Sequence, residues 1–410
     1  MIIGIDASRA FLPQRTGTEN YSYNLIKALT KIDNKQVCSL RNKNTYRLYT
    51  RAVTSSQSDL IDFPLPENFT VKNISWKRLW TQGGLALETL INPPDILFIP
   101  AHTLPLMREL SLSNTRTVVT IHDLGYEYLP NYHQLGNFLY LNRSTEWAVR
   151  WADALISVSE ATRQDLIRKM HCDSNKIKVV YEGIDYRRFS CRAGSRFAGE
   201  IKSEDKQNIG YIEEASYLKK TYGIGCTYIL YVGTIQPRKN IERLIEAFFL
   251  VNKSISRQCL QLIIVGKPGW MYKDIYLAPK KYRVEGLVKF LNFVSNEDLI
   301  KLYRHASVFC LPSLFEGFGL PILEAMASGC PVVTSNSGSL SEIAGDAAVL
   351  ADPLSSISIA SAVDQILTND SLRSTLIIKG KQLVKLFTWE KTAKRTIEVF
   401  GDTFRRREKH

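Results

Sequence analysis

The sequence predicts an α/β protein built from two doubly wound, Rossmann-like domains in series. Short β-branched runs alternate with longer helical segments, this alternation occurs twice, and 410 residues exceed the length of one ordinary domain. Hydrophobic residues make up 45% of the chain and charged residues 23%, as in soluble globular proteins. We therefore expect two parallel sheets, each covered by helices.

Buried strands are predicted where apolar runs are short and end in turn residues. These runs are MIIGID, DILFIP, TVVTIHD, ADALISVS and IKVVYEG, then YILYVGT, LQLIIVG, VKFLNFV, ASVFCLP, PVVTSN and AAVLAD. The first domain is predicted over residues 1–183 and the second over 227–388. Between them, residues 184–226 are dense in charge and read as a linker with an exposed insertion. A last helix is expected over 389–410, with Thr388 as a candidate N-cap.

Composition and charge restrict the partners. The net charge of +13 is compatible with binding to a phosphorylated small molecule, an anionic membrane surface or nucleic acid, and charge alone does not distinguish among these partners. The terminal RRREK run is interpreted as a solvated end, so no nucleic-acid partner is predicted. No spanning segment and no signal peptide is evident, and the seven scattered cysteines suit reduced thiols. A cytoplasmic location follows as an expectation.

The stretch VFCLPSLFEGFGLPILEAMASG reads as strand, glycine turn and helix. Backbone amides near Phe318, Gly319 and Leu320 can bind an anion at the helix N-terminus. Glu316 lies in the turn and Glu324 one helical turn further, where carboxylates suit neutral hydroxyls better than phosphate. A ligand with hydroxyls and an anion is a nucleoside diphosphate sugar. The alternative is a capping Glu316 and a solvent-facing Glu324.

Two further glycine turns follow predicted strands. YVGTIQPRKN places Arg238 and Lys239 after Gly233, and both cations can reach a diphosphate. RTGTENY places Gly17 and Thr18 at the start of a predicted helix, where backbone amides can approach a phosphate. The alternative is a turn that only connects the strand to the helix, as about half of such turns do.

Histidines end two strands of the first half. His122 in TIHDLGYE can donate to a reacting sugar, Asp123 can fix its tautomer, and His102 in IPAHTLP is placed similarly; structural capping of strand ends is the alternative. No Asp-x-Asp, His-Glu-x-x-His, Cys-x-x-Cys or Gly-Lys-Thr motif occurs, so neither a metal site nor a P-loop is predicted. Contacts to a nucleotide base are expected near Lys267 and Val294.

The ordered set RTGTENY, RLWTQ, TIHDLGYE, ISVSEAT, VVYEGID, LYVGTIQPRKN, PSLFEGFGLPILEAMASGCPVV and SEIAGDAAVLADP resembles the family 4 retaining glycosyltransferases of GT-B fold. The likeness runs from about Ile2 to Phe400 and is greatest to bacterial mannosyltransferase-like members of O-antigen and polysaccharide synthesis. The resemblance implies two domains facing across a cleft, with the last helix crossing back to the first domain. It also implies that no cofactor and no divalent metal is required.

The resemblance assigns roles to the candidate residues. It implies that Glu324 binds the ribose hydroxyls and that Glu316, with the amides of 318–320, binds the transferred sugar. Arg238 and Lys239 would hold the diphosphate. The Gly17–Thr18 turn would approach that diphosphate from the first domain, and His122 would lie beside the anomeric carbon.

The resulting hypothesis is a hexosyltransferase that moves mannose from GDP-mannose to a lipid-linked oligosaccharide at the inner face of the plasma membrane. Alternatives are a UDP- or ADP-sugar donor, a sugar-nucleotide epimerase, or a non-catalytic binding protein of GT-B fold. The aromatic residues in NISWKRLWTQGGLAL suggest that this stretch contacts an anionic membrane surface. The alternative is that Trp76, Leu79 and Trp80 belong to the core or to the acceptor side of the site. Thr234 stands where some relatives have a basic residue, so Arg238 would carry more of the diphosphate charge.

Overall fold

The computed structural model describes residues 1–12, 15, 17–36, 44–51, 61–76, 78–101, 103–105, 114–128, 135–190, 204–225, 227–254 and 260–405. The chain forms two compact units. The N-terminal unit comprises Met1–Gly183 and Phe387–His410, and the C-terminal unit comprises Ile184–Leu386. No helix in the described part of the chain is long and apolar enough to span a membrane.

The N-terminal unit contains a parallel sheet with the strand order β3-β2-β1-β4-β5-β6-β7. Its strands are β1 (Ile2–Asp6), β2 (Thr45–Arg51), β3 (Phe69–Ile74), β4 (Ile96–Ile99), β5 (Arg116–Ile121), β6 (Ala154–Ser157) and β7 (Ile177–Val179). Its helices before the chain leaves the unit are α1 (Gly17–Gln36), α2 (Ala86–Ile91), α3 (Gly125–Tyr128), α4 (Leu135–Trp151) and α5 (Glu160–Met170). The strand order reverses between β1 and β4, so the carboxyl ends of these strands open a crevice at that edge.

The C-terminal unit has a second parallel sheet, ordered β10-β9-β8-β11-β12-β13. Its strands are β8 (Thr227–Val232), β9 (Leu260–Val265), β10 (Val288–Leu291), β11 (Val308–Leu311), β12 (Val332–Ser335) and β13 (Ala348–Ala351). Its helices are α6 (Tyr186–Phe189), α7 (Glu204–Tyr222), α8 (Ile241–Ser254), α9 (Lys273–Lys281), α10 (Asn296–His305), α11 (Leu320–Ala327), α12 (Gly338–Ala344), α13 (Ser356–Thr368) and α14 (Asp370–Leu383). The predicted fold class is thus confirmed, with a reversal between β8 and β11.

Helix α7 lies in the stretch interpreted above as a linker with an exposed insertion. The hydroxyls of Tyr217 and Tyr222 donate to Asp298 of α10, at 3.2 and 2.8 Å. Glu214 accepts from Arg304 at 2.8 Å, again on α10. Polar contacts between helices hold α7 on the C-terminal unit, so its sequence shows little of the apolar periodicity that predicts a helix.

The last helix, α15 (Trp389–Arg405), belongs to the N-terminal unit. The ring of Phe400 packs edge-on against Phe98 of β4, with 5.1 Å between ring centroids. Thr392 Oγ1 donates to the carbonyl of Tyr181 at 2.9 Å. A Cβ on Gly183 would lie 2.2 Å from the backbone nitrogen of Trp389, so this crossing of the chain requires glycine.

Candidate active site

The loop between β11 and α11 positions the two predicted glutamates. Gly319, with φ of 103°, precedes the first residue of the helix, and a Cβ there would meet Leu340 at 2.7 Å. Glycine is therefore required for this turn, and the loop ends at a helix N-terminus as predicted. Phe318 is buried and Leu320 partly buried at the same turn.

Glu316 is the centre of an ionic cluster that the sequence did not predict. Its Oε1 pairs closely with Lys239 Nζ and accepts from Ser313 Oγ at 2.8 Å. Arg238 Nη1 lies 3.7 Å from Glu316 Oε2 and donates to the carbonyl of Phe315 at 3.2 Å. The loops after β8 and β11, predicted as two separate contributors, thus form one cluster.

Charge keeps Glu316 ionised despite its burial. The side chains of Glu316, Lys239 and Arg238 are 9%, 12% and 18% exposed. Burial alone would raise the pKa of Glu316, but the charges of Lys239 and Arg238 outweigh it and hold this pKa below its usual range. Two cations and one carboxylate give the cluster a net charge of +1, which suits an anionic ligand.

Glu324 lies in a different environment. Its Oε2 accepts from the hydroxyl of Tyr303 at 2.9 Å. Burial raises its pKa, and the Tyr303 hydrogen bond and the charge of Arg188 oppose that rise only in part. Neither Tyr303 nor Arg188 was identified from the sequence, since Tyr303 occupies an apolar helix face and Arg188 belongs to the stretch interpreted as a linker.

The sign of this pKa shift leads to a prediction. A carboxyl whose folded pKa is raised costs stability at pH values above that pKa, and the cost disappears as the pH falls below the unfolded value of about 4.3. Glu324→Gln should therefore unfold at the same or a higher denaturant concentration at pH 7, and lose this advantage near pH 4. If Glu324 binds ribose hydroxyls, donor KM should rise about tenfold.

The exposed Glu285 provides the matched control, because Glu285→Gln makes the same change away from the site. A Glu324→Gln protein that is destabilised at pH 7, or that binds donor normally, would contradict the assignment. Denaturation at several pH values and steady-state kinetics measure the two effects.

The loops after β8 and β9 approach each other closely. A Cβ on Gly266 would lie 1.9 Å from the carbonyl oxygen of Gly233, so a larger residue cannot occupy position 266 without moving the backbone. The next residue, Lys267, holds its Nζ 5.4 Å from the ring centroid of Phe293. Val294 follows that ring and is buried. Gly233, Lys267 and Val294 thus lie at the carboxyl ends of three adjacent strands.

His122 has protein partners at both ring nitrogens. Nε2 lies 2.8 Å from the carbonyl oxygen of Pro100, and Nδ1 lies 3.3 Å from Glu182 Oε1. A carbonyl only accepts, so Nε2 carries a proton. The structure thus gives Glu182 the orienting contact that the sequence analysis assigned to Asp123, whose Oδ1 instead accepts from Gly125 N at 3.0 Å. Glu182 lies shortly after β7, which ends at Val179, and this position beyond a strand end could have suggested it.

The remaining candidate residues of the N-terminal unit are Gly17, Thr18, His102 and Trp80. Gly17 and Thr18 begin α1, and a Cβ on Gly17 would meet nothing within 4 Å, so no steric demand for glycine is visible there. His102 lies outside the described residues. Trp80 is 1% exposed and belongs to the core, whereas Leu79 is 75% exposed. The membrane contact proposed for this stretch stays a prediction.

Among the described residues, no group of three or more His, Cys, Asp and Glu side chains is arranged to hold a metal ion.

Two family models match the chain. Residues 15–188 match the model described as glycosyltransferase family 4, and residues 224–383 match glycosyl transferases group 1. The chain is 33% identical to the O-antigen chain mannosyltransferase B of Escherichia coli over 285 residues, which is 70% of each protein. It is 30% identical over 293 residues to the E. coli serotype-specific mannosyltransferase WbdA, covering 70% of this chain and 33% of WbdA.

Solved structures support the fold. The chain resembles Anabaena HepE, crystallised with UDP-glucose, with a TM-score of 0.68 and 17% identity over 98% of this chain and 99% of HepE. It also resembles WaaG, a glycosyltransferase of lipopolysaccharide biosynthesis, with a TM-score of 0.66 and 16% identity over 98% and 99% of the two chains.

Proposed function

Because this chain belongs to the family 4 glycosyltransferases of GT-B fold, we propose that it transfers a hexose from a nucleotide sugar with retention of anomeric configuration. The preferred donor is GDP-mannose and the preferred acceptor a lipid-linked oligosaccharide of a surface polysaccharide. The names of the E. coli relatives, an O-antigen chain mannosyltransferase and a serotype-specific mannosyltransferase, support mannose as the transferred sugar and a surface polysaccharide as the product. The observation that carries the proposal is the cluster of Glu316, Lys239 and Arg238.

This cluster suits the diphosphate of the donor. A lysine ammonium has three donors and an arginine guanidinium has five, so both cations can bind phosphate oxygens without releasing Glu316. The N-terminus of α11 adds a positive dipole end beside Glu316. Glu316 Oε2 is 3.7 Å from Arg238, beyond hydrogen-bond distance, so it can also accept from a sugar hydroxyl.

The proposed reaction is a displacement on one face of the sugar. The acceptor oxygen forms a bond to the anomeric carbon, and the bond from that carbon to the diphosphate oxygen breaks, leaving its electron pair on the diphosphate. The acceptor proton passes to the departing phosphate. Lys239 and Arg238 stabilise the negative charge that develops there, with no divalent metal in the proposed step.

A sugar contact with His122 has a structural condition. Its Nε2 proton already serves the Pro100 carbonyl, so donation to a sugar hydroxyl must replace or share that bond. Glu182, whose Oε1 lies 3.3 Å from Nδ1, would hold the ring in position during such an exchange. We therefore propose that Glu182 is a positioning residue for His122.

The choice of donor is tested by a panel of labelled GDP-mannose, UDP-glucose and ADP-glucose, each with a lipid-linked oligosaccharide acceptor. We expect transfer from GDP-mannose with an α-linked product. The structural neighbour HepE was crystallised with UDP-glucose. Transfer from UDP-glucose alone would therefore show that the proposed donor is wrong while the proposed transferase activity is right. Epimerised sugar nucleotide formed without acceptor would contradict the transferase proposal itself.

A further inference from the structure

The side chain of Tyr303, on α10, is fully buried and ends at the carboxylate of Glu324. The Tyr303 hydroxyl donates to Oε2 of Glu324 at 2.9 Å. Burial raises the pKa of Tyr303 well above its usual value, so the hydroxyl keeps its proton and acts as the donor. In the described part of the chain no other hydrogen bond reaches this carboxylate, so Oε1 remains available to a ligand.

Two aromatic rings fix the direction in which Tyr303 points. The ring of Phe309, on β11, packs edge-on against it with 5.5 Å between centroids, and the ring of Phe189, on α6, does so at 6.3 Å. A side chain whose rotamer is held by packing also holds the groups that it hydrogen-bonds. The bond to Oε2 therefore sets the plane of the Glu324 carboxylate and the direction of Oε1.

Helix α10 carries Tyr303 on one face and charged residues on the other. Asp298, Lys301 and His305 follow one another at spacings of three and four residues, so they lie on the same face of the helix. Tyr303 lies two residues from both Lys301 and His305, which is about 200° around the helix axis. The charged residues therefore face away from Glu324.

Helix α7 binds the first turns of this charged face. The hydroxyls of Tyr217 and Tyr222 donate to Oδ2 of Asp298 at 3.2 and 2.8 Å. The ammonium of Lys301 lies 3.0 Å from Oδ1 of Asp298 and 4.2 Å from the ring centroid of Tyr217. Both oxygens of Asp298 thus have partners, and rotation of α10 relative to α7 would break these contacts.

A second set of contacts binds the last turn of α10, directly after Tyr303. Glu214 Oε1 accepts from Arg304 Nη1 at 2.8 Å, and Glu214 Oε2 lies 3.2 Å from His305 Nε2. The hydrogen bond with His305 and the charge of Arg304 hold the pKa of Glu214 below its usual range. The ring of His305 also stacks on Tyr211 of α7, with 3.9 Å between centroids. An ionised Glu214 thus joins α7 to the two residues that follow Tyr303.

We propose that Tyr303 is a positioning residue for Glu324 and that α7 keeps Tyr303 in place by packing along the opposite face of α10. This inference rests on the proposed function, in which Glu324 binds the ribose hydroxyls of the donor. It gives α7, which carries no residue of the candidate site, a part in donor binding.

The test compares the binding of GDP and of 2′,3′-dideoxy-GDP, which lacks both ribose hydroxyls, to the full chain by calorimetry. The unmodified chain should bind GDP at least about tenfold more tightly, because the dideoxy nucleotide offers no hydroxyl to Glu324. Tyr303→Phe removes only the hydroxyl and should reduce this preference to about threefold or less, mainly by weakening GDP. In transfer assays the donor KM should rise while kcat changes little, as expected for a contact made equally in the ground and transition states.

Tyr228→Phe is the matched control. The buried hydroxyl of Tyr228 donates to the carbonyl of Leu302 at 2.7 Å, so this substitution removes a hydrogen bond to the same helix without touching Glu324. It should cost stability and leave the preference for GDP unchanged. An unchanged preference in Tyr303→Phe would overturn the positioning role, and so would equal weakening of GDP and the dideoxy nucleotide, which indicates general damage to the fold.

Glu214→Gln tests the contribution of α7 without altering the buried site. It should reduce the preference for GDP by about twofold to threefold and increase hydrogen exchange in α10. Glu213→Gln, at an exposed position of the same helix, should change neither. A normal preference in Glu214→Gln with faster exchange in α10 would overturn the role of α7.

The same comparison with UDP and 2′,3′-dideoxy-UDP covers a different donor base. If the unmodified chain binds neither GDP nor UDP, the proposed function fails and this inference with it. If it binds one of them but shows no preference for the ribose hydroxyls, the placement of Glu324 at the ribose is wrong while the nucleotide site is right.

Discussion

Lys239→Ala is expected to lower turnover by about 10²–10³-fold, the usual effect of removing one preorganised donor to a developing oxyanion. Lys239 is 12% exposed and pairs with Glu316, so its ammonium is fixed in position before the donor arrives. Fixed charges of this kind stabilise a leaving diphosphate without reorganisation at the moment of reaction. Steady-state transfer with labelled donor measures the loss.

Lys281→Ala is the control for this substitution. Lys281 also pairs with a glutamate of the C-terminal unit, Glu242 at 2.8 Å, but its side chain is 60% exposed. Exposed pairs contribute little, so this variant should keep normal turnover and stability. Near-normal turnover of a folded Lys239→Ala protein would remove Lys239 from the proposed chemistry.

The strands show how far the sequence predicts the fold. The eleven apolar runs named in the sequence analysis all form strands of the two sheets. The inner ones are buried, because a parallel sheet covered on both faces demands continuous apolar residues, whereas the edge strands β7, β10 and β13 are only partly buried. β2 and β3 were not predicted. They carry TYRLYTR and FTVKNI, in which polar residues interrupt the run, and β3 lies at the edge of its sheet with most of its residues exposed.

The candidate site shows a different limit. The sequence identified Glu316, Arg238 and Lys239, since each follows a strand at the edge where ligands bind. It did not predict that they pair, because Lys239 and Glu316 are 77 residues apart in the chain and meet only when their two loops come into contact. In that contact Leu314 N donates to the carbonyl of Arg238 at 2.9 Å. Glu182 was missed for the same reason, since it meets His122 only through the folded sheet.

This pairing changes the expected effect of removing Glu316. Considered as a hydroxyl acceptor alone, Glu316 could be replaced at no cost to the fold. As the carboxylate of a buried cluster, Glu316 offsets the positive charges of Lys239 and Arg238. Its loss leaves these two cations largely shielded from water and without the carboxylate that offsets their charge. Activity and stability should therefore fall together in Glu316→Ala.

Glu316→Ala should lower the free energy of unfolding of the C-terminal unit by about 3–5 kcal/mol, the usual cost of removing one partner of a buried ion pair. Hydrogen exchange measured by mass spectrometry at β8 and β11 localises the effect to this unit. The double variant Lys239→Ala/Glu316→Ala removes a cation as well, so it should be more stable than Glu316→Ala while remaining inactive. Additive losses in the double variant would show that the two side chains are not coupled. Stability restored without activity would demonstrate that the cluster is retained for its chemistry, since the fold tolerates its absence once the charges are balanced.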